Sequence, residues 1–595
     1  MDHTEVSRLF EIIHFQQKMT PKTISLSGKE GNNWHSYSTD EVIRNADELS
    51  FGLMALGLKK GDKIANISNN RPEWNFADFA IMQIGAVHVP IYPTISEEDY
   101  RFILNDAEVK LVFVSDKSLY EKIKNIRASV PSIQEVFSFD KIEGVRHWLE
   151  LKEIGSKNPK KEELSEIKKS VLPEDLVTLI YTSGTTGQPK GVMLTHHNIL
   201  SNVLACRNLT PCDDRHTALS FLPLCHIYER MLTYLNMYKG LSIYYAESME
   251  KIVDNIKEIK PHLFSSVPRL LEKVYDKIVA KGKELKGFKH WLFFWALDLG
   301  ERFELNGANG IWYELQLKIA NKLIFSKWRA ALGGNVICIV SGGAALQPRL
   351  ARVFWAADMS VLQGYGLTET SPVIAVNLRK PGDCMIGTVG PIIEDVTVQI
   401  AEDGEILCKG PNVMKGYYKR PDLTAEVIDK DGYFHTGDIG EIVNNKFLKI
   451  TDRKKEIFKT SGGKYVSPQL VENIMKESPF IEQIMVVGEG QKFTGALVVP
   501  SFEALEKWAH AQQLKFSSRE TLIDLPEVRT LLRNEIDEKN KRLGHIEQIK
   551  RFELLPREWS LASGEMTPKL SVKRKLIEEK FKEQINKIFK VEEPA

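Results

Sequence analysis

Three features of this sequence predict an α/β protein with a large N-terminal domain of layered α/β sheets, a β-rich subdomain and a small α+β C-terminal domain. Strand and helix patterns alternate through the first part of the chain, the texture turns mostly β from Asp395, and charges bunch at Asp452-Arg453-Lys454-Lys455-Glu456 ahead of a shorter α/β segment. At 595 residues the chain is too long for one core, so two or three domains are expected. The boundaries fall at 1–450 for the large domain, with 395–450 as its β-rich part, and at 454–595 for the small one, joined by 451–453.

The alternation starts early. Val42, Ile43, Ala46, Leu49, Leu53 and Leu56 have helical spacing and end at Gly57. A strand follows at 64–68, a helix with Pro72 at its start at 72–84, a strand at 88–92, a helix at 100–106 and a strand at 111–115. Such β-α-β order implies a parallel sheet covered by helices. Residues 151–170, rich in Lys and Glu, read as a charged loop or frayed helix serving as a solvated connector. Further strands are expected at 218–222, 241–245, 262–266, 336–341 and 360–363, with a long helical region at 269–332 between the third and fourth. Beyond Asp395, alternating Val396, Val398 and Ile400, the turn Glu402-Asp403-Gly404 and the run 405–408 predict a hairpin. The last segment carries strands near 484–487 and 496–500.

Composition narrows the function. Lys+Arg 80 against Asp+Glu 79 argues against a nucleic-acid binder. The six cysteines form no C-x-x-C pair and adjoin apolar residues, which suits buried reduced thiols in a cytosol. The N-terminus has acids and His where an export signal has a basic start and apolar core, and no apolar run approaches the roughly 18–20 residues needed to span a bilayer. Core packing is the usual fate of an aromatic cluster such as Trp291–Gly300. Between Lys286 and residue 300 the sharper alternative is peripheral contact with the inner membrane face, or an oligomer contact such as a homodimer.

The most specific string is Tyr181-Thr182-Ser183-Gly184-Thr185-Thr186-Gly187-Gln188-Pro189-Lys190-Gly191. It lies between two apolar runs and predicts strand, loop, strand. Gly184, Gly187 and Gly191 let backbone N–H groups converge on an anion, Thr182, Ser183, Thr185 and Thr186 add hydroxyl donors, and Lys190 adds charge. Polyphosphate binding fits this chemistry. The order of Pro189, Lys190 and Gly191 rules out a Walker A loop.

The string resembles the phosphate loop of the adenylate-forming superfamily of acyl-CoA synthetases, luciferases and peptide-synthetase adenylation domains. Four other stretches extend the resemblance. Leu222-Pro223-Leu224-Cys225-His226-Ile227-Tyr228-Glu229-Arg230 looks like the L-P-L-x-H-x-x-E-R motif of the fatty-acid branch, which implies that His226 lies near the acyl carboxylate. Cys225 beside His226 makes no nucleophilic pair, because neighbours on an extended backbone face opposite ways. Small residues Gly342, Gly343 and Ala344 after a strand allow a flat ring to approach the backbone. In Gln363-Gly364-Tyr365-Gly366-Leu367-Thr368-Glu369 a ring face, a hydroxyl and a hard oxygen ligand follow. Taken alone these are ordinary βα loops. The resemblance implies that they bind ATP, with Tyr365 stacked on adenine, Thr368 on the α-phosphate, and Glu369 with Thr182 on Mg²⁺. His435-Thr436-Gly437-Asp438 is by itself a hairpin turn, although an acid after a Gly turn can accept both ribose hydroxyls. The resemblance assigns the ribose to Asp438, a ribose or phosphate contact to Arg453, and to Asp452 the hinge of a mobile C-terminal domain. Val267 and Pro268, in Ser265-Ser266-Val267-Pro268-Arg269, are candidate lining for the acyl chain.

One departure stands out. Long-chain members end in T-P-x-x-K-x-K-R, with a Lys that serves adenylation, whereas Met566-Thr567-Pro568-Lys569-Leu570-Ser571-Val572-Lys573-Arg574 places Ser571 there. Lys569 and Lys573, two residues to either side, project from the same side of an extended chain and are the candidate replacements. The expected activity is long-chain fatty acid:CoA ligation, with ATP, Mg²⁺ and CoA. The alternatives are a fatty acyl-AMP ligase loading a separate acyl carrier protein, since Leu332-Gly333-Gly334 lacks the Ser of an attached carrier, and a lipid-binding homologue impaired in adenylation.

Overall fold

A computed structural model of the chain describes residues 6–183, 188–560, 563–566 and 572–590. Residues 1–399, 407–436 and 443–448 form one compact unit, and 400–406, 437–442 and 449–595 a second.

The first unit holds two eight-stranded sheets. One follows the order Gly416–Tyr417, Pro189–Thr195, Leu176–Ser183, Val87–Ile91, Lys63–Ile67, Val109–Val114, Glu135–Ser138, Arg146–His147. Its central strands are parallel, as the β-α-β reading expects. The other runs Val373–Val376, Ser360–Gly366, Cys338–Ser341, Leu263–Ser266, Thr217–Ser220, Ser242–Tyr245, Leu26–Glu30, Asn33–Tyr37. Strand alternation divides the core. Ile64, Leu111 and Phe113 join the cluster shared with Leu49, Phe79 and Ile243, whereas Ala65, Ile67, Val112 and Val114 pack with Tyr100, Leu104 and Ile123. A third cluster gathers the region 269–332, which forms the helices Pro268–Lys283, Gly287–Glu301, Ile311–Ala320 and Ser326–Ala331 around Phe293, Phe325 and Trp328.

Of the two readings of 151–170, charged loop or frayed helix, the second holds for all but 158–160: the segment lies in the helices Trp148–Lys157 and Lys161–Ser170, because Leu151, Gly155 and Leu164 are buried while Lys152 and Lys168 reach Glu48 and Asp47 at 3.4 and 3.1 Å. The first packs on Thr39–Ala55 through two glycines. A Cβ on Gly155 would stand 1.9 Å from the Glu48 carbonyl oxygen, and one on Gly52 would stand 2.2 Å from that of Leu151. The predicted hairpin past Asp395 is Thr397–Ile400 and Glu405–Lys409 in a four-stranded sheet with Phe434–Val443 and Phe447–Arg453.

In the second unit, Ile481–Val487 pairs antiparallel with Thr494–Pro500, which pairs in parallel with Ile549–Leu554. Helices Pro468–Met475, Phe502–Ala511 and Pro526–Asn540 supply Val471, Leu505 and Leu532 to its core. Among the described residues no helix is long and apolar enough to cross a membrane. No cysteine is in a disulfide; all are buried except the half-buried Cys384.

Candidate active site

The string expected to bind phosphate forms a hairpin. Leu176–Ser183 pairs antiparallel with Pro189–Thr195, placing Thr182 opposite Lys190 and Ser183 opposite Pro189. Gly184, Thr185, Thr186 and Gly187 at its tip lie outside the described residues. The Lys190 ammonium sits 5.1 Å from the centroid of the Tyr417 ring. Tyr417 reaches this position because Gly416–Tyr417 extends the same sheet, opposite Met193 and Val192. Its hydroxyl donates to Glu369 Oε1 at 2.9 Å. Burial, reinforced by the Glu369 carboxylate, pushes the Tyr417 phenol up, so it remains a donor. A single tyrosine thus joins the cation of the hairpin to the carboxylate of the Tyr-Gly-x-Thr-Glu stretch. No spacing in Lys415-Gly416-Tyr417-Tyr418 signals this, and Tyr417 is absent from the sequence-derived candidates.

Thr368, buried, and Glu369, half-buried, sit in the helical turn Thr368–Thr370 that follows Ser360–Gly366. The turn is braced from two sides. Asn412 donates to the Thr370 carbonyl at 3.0 Å, and Asn202, on the helix that follows the phosphate hairpin, donates to that of Val373 at 2.8 Å. Gly366 admits no side chain, since its Cβ would fall 1.7 Å from the Pro372 carbonyl oxygen. Among the described residues no group of three or more His, Cys, Asp or Glu could hold a metal. Tyr417 holds one carboxylate, Glu369, at the hairpin. A single carboxylate is compatible with Mg²⁺, which keeps water and binds through one or two carboxylates plus substrate phosphates.

Parallel pairing brings two glycine-rich segments together. Ser341 lies opposite Gln363, so Gly342, Gly343 and Ala344 and the run Gln363-Gly364-Tyr365-Gly366 leave neighbouring strands at the same end. Ser266 is opposite Ser341 on the other side, which brings Val267 and Pro268 to that end as well. A Cβ on Gly343, whose φ is +80°, would be 4.0 Å from Val267 Cγ1. Gly342 lies against the Tyr228 ring, 3.2 Å from where its own Cβ would stand, and the Tyr228 hydroxyl donates to the Val340 carbonyl at 3.0 Å.

His226 caps the helix Ile227–Tyr238. Its Nδ1 accepts from the Tyr228 N–H at 3.0 Å, so the neutral ring carries its proton on Nε2 and presents a donor there. Glu229 points into the interior and accepts from the Ser265 hydroxyl; burial, only partly offset by Ser220 and Ser265, pushes its carboxyl up to about 7. Arg230 is fully buried. It donates to Asp78 Oδ1 at 2.5 Å, to the Tyr234 hydroxyl at 2.8 Å and to the Thr178 hydroxyl at 2.9 Å. Asp78 also meets His88 Nδ1 at 2.6 Å and the Tyr234 hydroxyl at 2.5 Å. Burial raises the Asp78 carboxyl, but Arg230 and the two other partners outweigh it and hold it below the ordinary range. Because Thr178 lies on the strand entering the phosphate hairpin and donates to the His88 carbonyl at 2.7 Å, this network fixes the helix behind His226 to that strand.

The second unit carries its own candidates. Asp438, buried on Phe434–Val443, pairs with Arg453 Nε at 3.2 Å. Gly437, at φ +72°, donates to Glu405 Oε1 at 2.9 Å, and Lys454 joins Glu405 and Asp403 at 2.7 and 2.6 Å. Asp452 is fully buried; Oδ1 accepts from the Arg453 N–H at 2.6 Å, and burial pushes the carboxyl up to about 6. Lys569 and Ser571 lie outside the described residues, and Lys573 is exposed. Met566 and Val572 form an isolated antiparallel bridge. Beside it, buried Glu565 meets Arg557 at 2.8 Å and Lys580 at 3.1 Å, and Arg574 meets Glu472 at 2.6 Å.

A family model described as AMP-binding enzyme matches residues 14–418, and the AMP-binding enzyme C-terminal domain matches 455–593. The chain is 34% identical over 569 residues to the long-chain-fatty-acid–CoA ligase FadD15 of Mycobacterium tuberculosis, covering 94% of this chain and 93% of that one. It is 34% identical over 597 residues to human long-chain-fatty-acid–CoA ligase 1, covering 93% and 82%. Among solved structures, the adenylation domain of a Mycobacterium chelonae carboxylate reductase superposes with a TM-score of 0.76 at 21% identity over 99% of this chain and 92% of its own. A Mycobacterium tuberculosis fatty acyl CoA synthetase gives 0.60 at 19%, over 97% and 98%. At those identities the superpositions speak for the fold.

Proposed function

This chain belongs to the AMP-binding enzyme family, and we propose that it is a long-chain fatty acid:CoA ligase acting through an acyl-adenylate. The observation that carries this reading is end-to-end similarity to proteins of that name, joined to a Lys190-Tyr417-Glu369 contact that places a cation and a hard carboxylate at one hairpin.

A carboxylate is a poor electrophile, because its charge repels nucleophiles and oxide does not leave. In the first step a carboxylate oxygen of the fatty acid attacks the α-phosphorus of ATP and pyrophosphate departs. In the second the CoA thiol, losing its proton, attacks the acyl carbon and AMP departs. Charge develops on phosphate oxygens, so positioning and donors carry the catalysis. Thr182, Ser183, Gly184, Thr185, Thr186, Gly187 and Lys190 grip the pyrophosphate side. Gly342, Gly343, Ala344, Gln363, Gly364, Tyr365 and Gly366 hold adenine, and Thr368 donates to the α-phosphate. Glu369 and Thr182 hold Mg²⁺, which neutralises phosphate charge when bound. His226 Nε2–H faces the acyl carboxylate, with Val267 and Pro268 lining the chain. Asp438 accepts from the ribose hydroxyls, assisted by Arg453, and Asp452 is the pivot between a domain spanning 1–450 and one spanning 454–595. Lys573 or Lys569 substitutes for the lysine that Ser571 displaces. Residues 286–300 meet the inner face of a membrane in preference to a second copy of the chain.

The test compares acceptors. With ATP, Mg²⁺ and palmitate, purified protein is expected to form thioester on CoA and not on an acyl carrier protein; carrier loading alone would select the acyl-AMP ligase reading. ATP–pyrophosphate exchange should fall at least tenfold in Lys569→Ala or Lys573→Ala. Exchange undiminished in both removes the relocated lysine, and no exchange in the wild type removes the ligase.

A further inference from the structure

The helix Ile311–Ala320 continues without a break in the chain through 321–325 to Ser326–Ala331, and it carries two apolar stripes. Tyr313, Leu317, Ala320 and Ile324 recur at spacings of four, three and four and are buried in the cluster around Phe325 and Trp328. Trp312, Leu315, Ile319 and Leu323 recur at three, four and four and face solvent, with Trp312 74% exposed and the adjoining Ile311 82%. One stripe explains the helix's place in the core; the other is not needed for it. The preceding helix Gly287–Glu301 repeats the feature. Phe288, 72% exposed, stacks on Trp291 at 5.6 Å, and Trp291 stacks on Trp295 at 6.1 Å. Tyr313 donates to the Leu299 carbonyl at 2.5 Å and Phe293 packs on Trp328 at 5.9 Å, so the two helices run antiparallel as neighbours.

Charge points to the occupant. Residues 281–331 hold nine Lys and Arg against five Asp and Glu, in a chain whose net charge is +1. Three of those acids are in ion pairs: Asp298 with Arg302, Glu301 with Arg349 and Glu304 with Arg352. The exposed lysines Lys286, Lys289, Lys318 and Lys322 alternate with the exposed rings and aliphatic side chains. Indoles whose N–H meets headgroups while the ring meets acyl chains, set among lysines, suit the surface of an anionic bilayer; a two-fold contact between copies would set this basic face against itself, like charge against like.

We propose that the antiparallel pair 287–301 and 311–323 is an anionic-lipid docking surface, in which Trp312, Leu315, Ile319 and Leu323 form a second insertion edge beside Phe288 and Trp291. It builds on the membrane contact proposed for 286–300 and is independent of the ligase chemistry. The full chain is tested by flotation with vesicles of phosphatidylcholine alone or mixed with phosphatidylglycerol, alongside Trp312→Ser/Ile319→Ser and Phe288→Ser/Trp291→Ser. The wild type should float with the mixed vesicles, weaken with salt and with pure phosphatidylcholine, and lose on the order of tenfold in partitioning in each double variant at unchanged Tm. As a readout that does not depend on the variants folding, brominated acyl chains in mixed vesicles should quench wild-type indole fluorescence. Loss confined to Phe288→Ser/Trp291→Ser overturns the second edge and leaves the 286–300 contact standing. Absence of wild-type flotation and quenching overturns both. Concentration-dependent dimerisation that Trp312→Ser/Ile319→Ser abolishes, without vesicle binding, assigns the surface to a second copy instead.

Discussion

Asp78 and Asp452 are both fully buried carboxyls, yet they hold protons at different pH. Around Asp78, Arg230, His88 and Tyr234 all lie within 2.6 Å, and the group stays ionised well into acid. Asp452 has a backbone donor at Oδ1, while Oδ2 is buried without a hydrogen-bond partner among the described residues; the carboxyl is pushed up to about 6. Burial penalises charge in both places. Whether the charge survives is set by the donors, and here they separate a strut from a group that titrates near neutrality. The strut ties the helix behind His226 to the strand of the phosphate hairpin. The titrating group stands three residues after the second unit's continuous stretch begins at Lys449.

Three substitutions sharpen this contrast. The largest effect is expected for Arg230→Met, which strands the Asp78 charge and should cost about 3–5 kcal/mol by denaturant unfolding, much of it recovered in Arg230→Met/Asp78→Asn. A loss under 1 kcal/mol would mean that Asp78 is not held ionised. Asp452→Asn comes next, with opposite sign. The folded-state pKa of Asp452 is raised, so its favourable contribution is complete below the unfolded value near 4 and is lost as pH rises through about 6. The variant should therefore match the wild type in acid and exceed it by about 3 kcal/mol above pH 7. A difference that does not change with pH contradicts the assignment. Thr178→Val removes one neutral partner of Arg230 and should cost about 1 kcal/mol, measurable as a lower Tm; a cost equal to that of Arg230→Met would mean that the hydroxyl, and not the ion pair, is the keystone.

Much of the fold was legible in the sequence because periodicity survives burial. The helix at Pro72–Gln83 and the strands at 63–67, 87–91 and 109–114 fall within two residues of expectation. Of the two readings of 151–170, charged loop or frayed helix, helix is the one that holds, and its regularity was hidden because the burial of Leu151, Gly155 and Leu164 under a high charge count depends on neighbouring helices. The hairpin Leu26–Glu30 with Asn33–Tyr37 and the strand Ile549–Leu554 were missed, since Leu-Ser-Gly-Lys-Glu and Ile-Lys-Arg-Phe-Glu-Leu alternate too weakly. At the site, register does what motif reading cannot. Pairing of Ser341 with Gln363 gathers two loops that sequence leaves some twenty residues apart. Tyr417 and Asp78 were invisible because each acts through partners distant in sequence, Glu369 and Arg230, and neither stands in a recognisable string.

The central claim, activation of long-chain acids, is tested most directly by AMP release from ATP in the presence of CoA, with palmitate, octanoate and acetate compared on the purified chain. The account predicts the highest kcat/KM with palmitate and little turnover with acetate. AMP release confined to octanoate and acetate would contradict it.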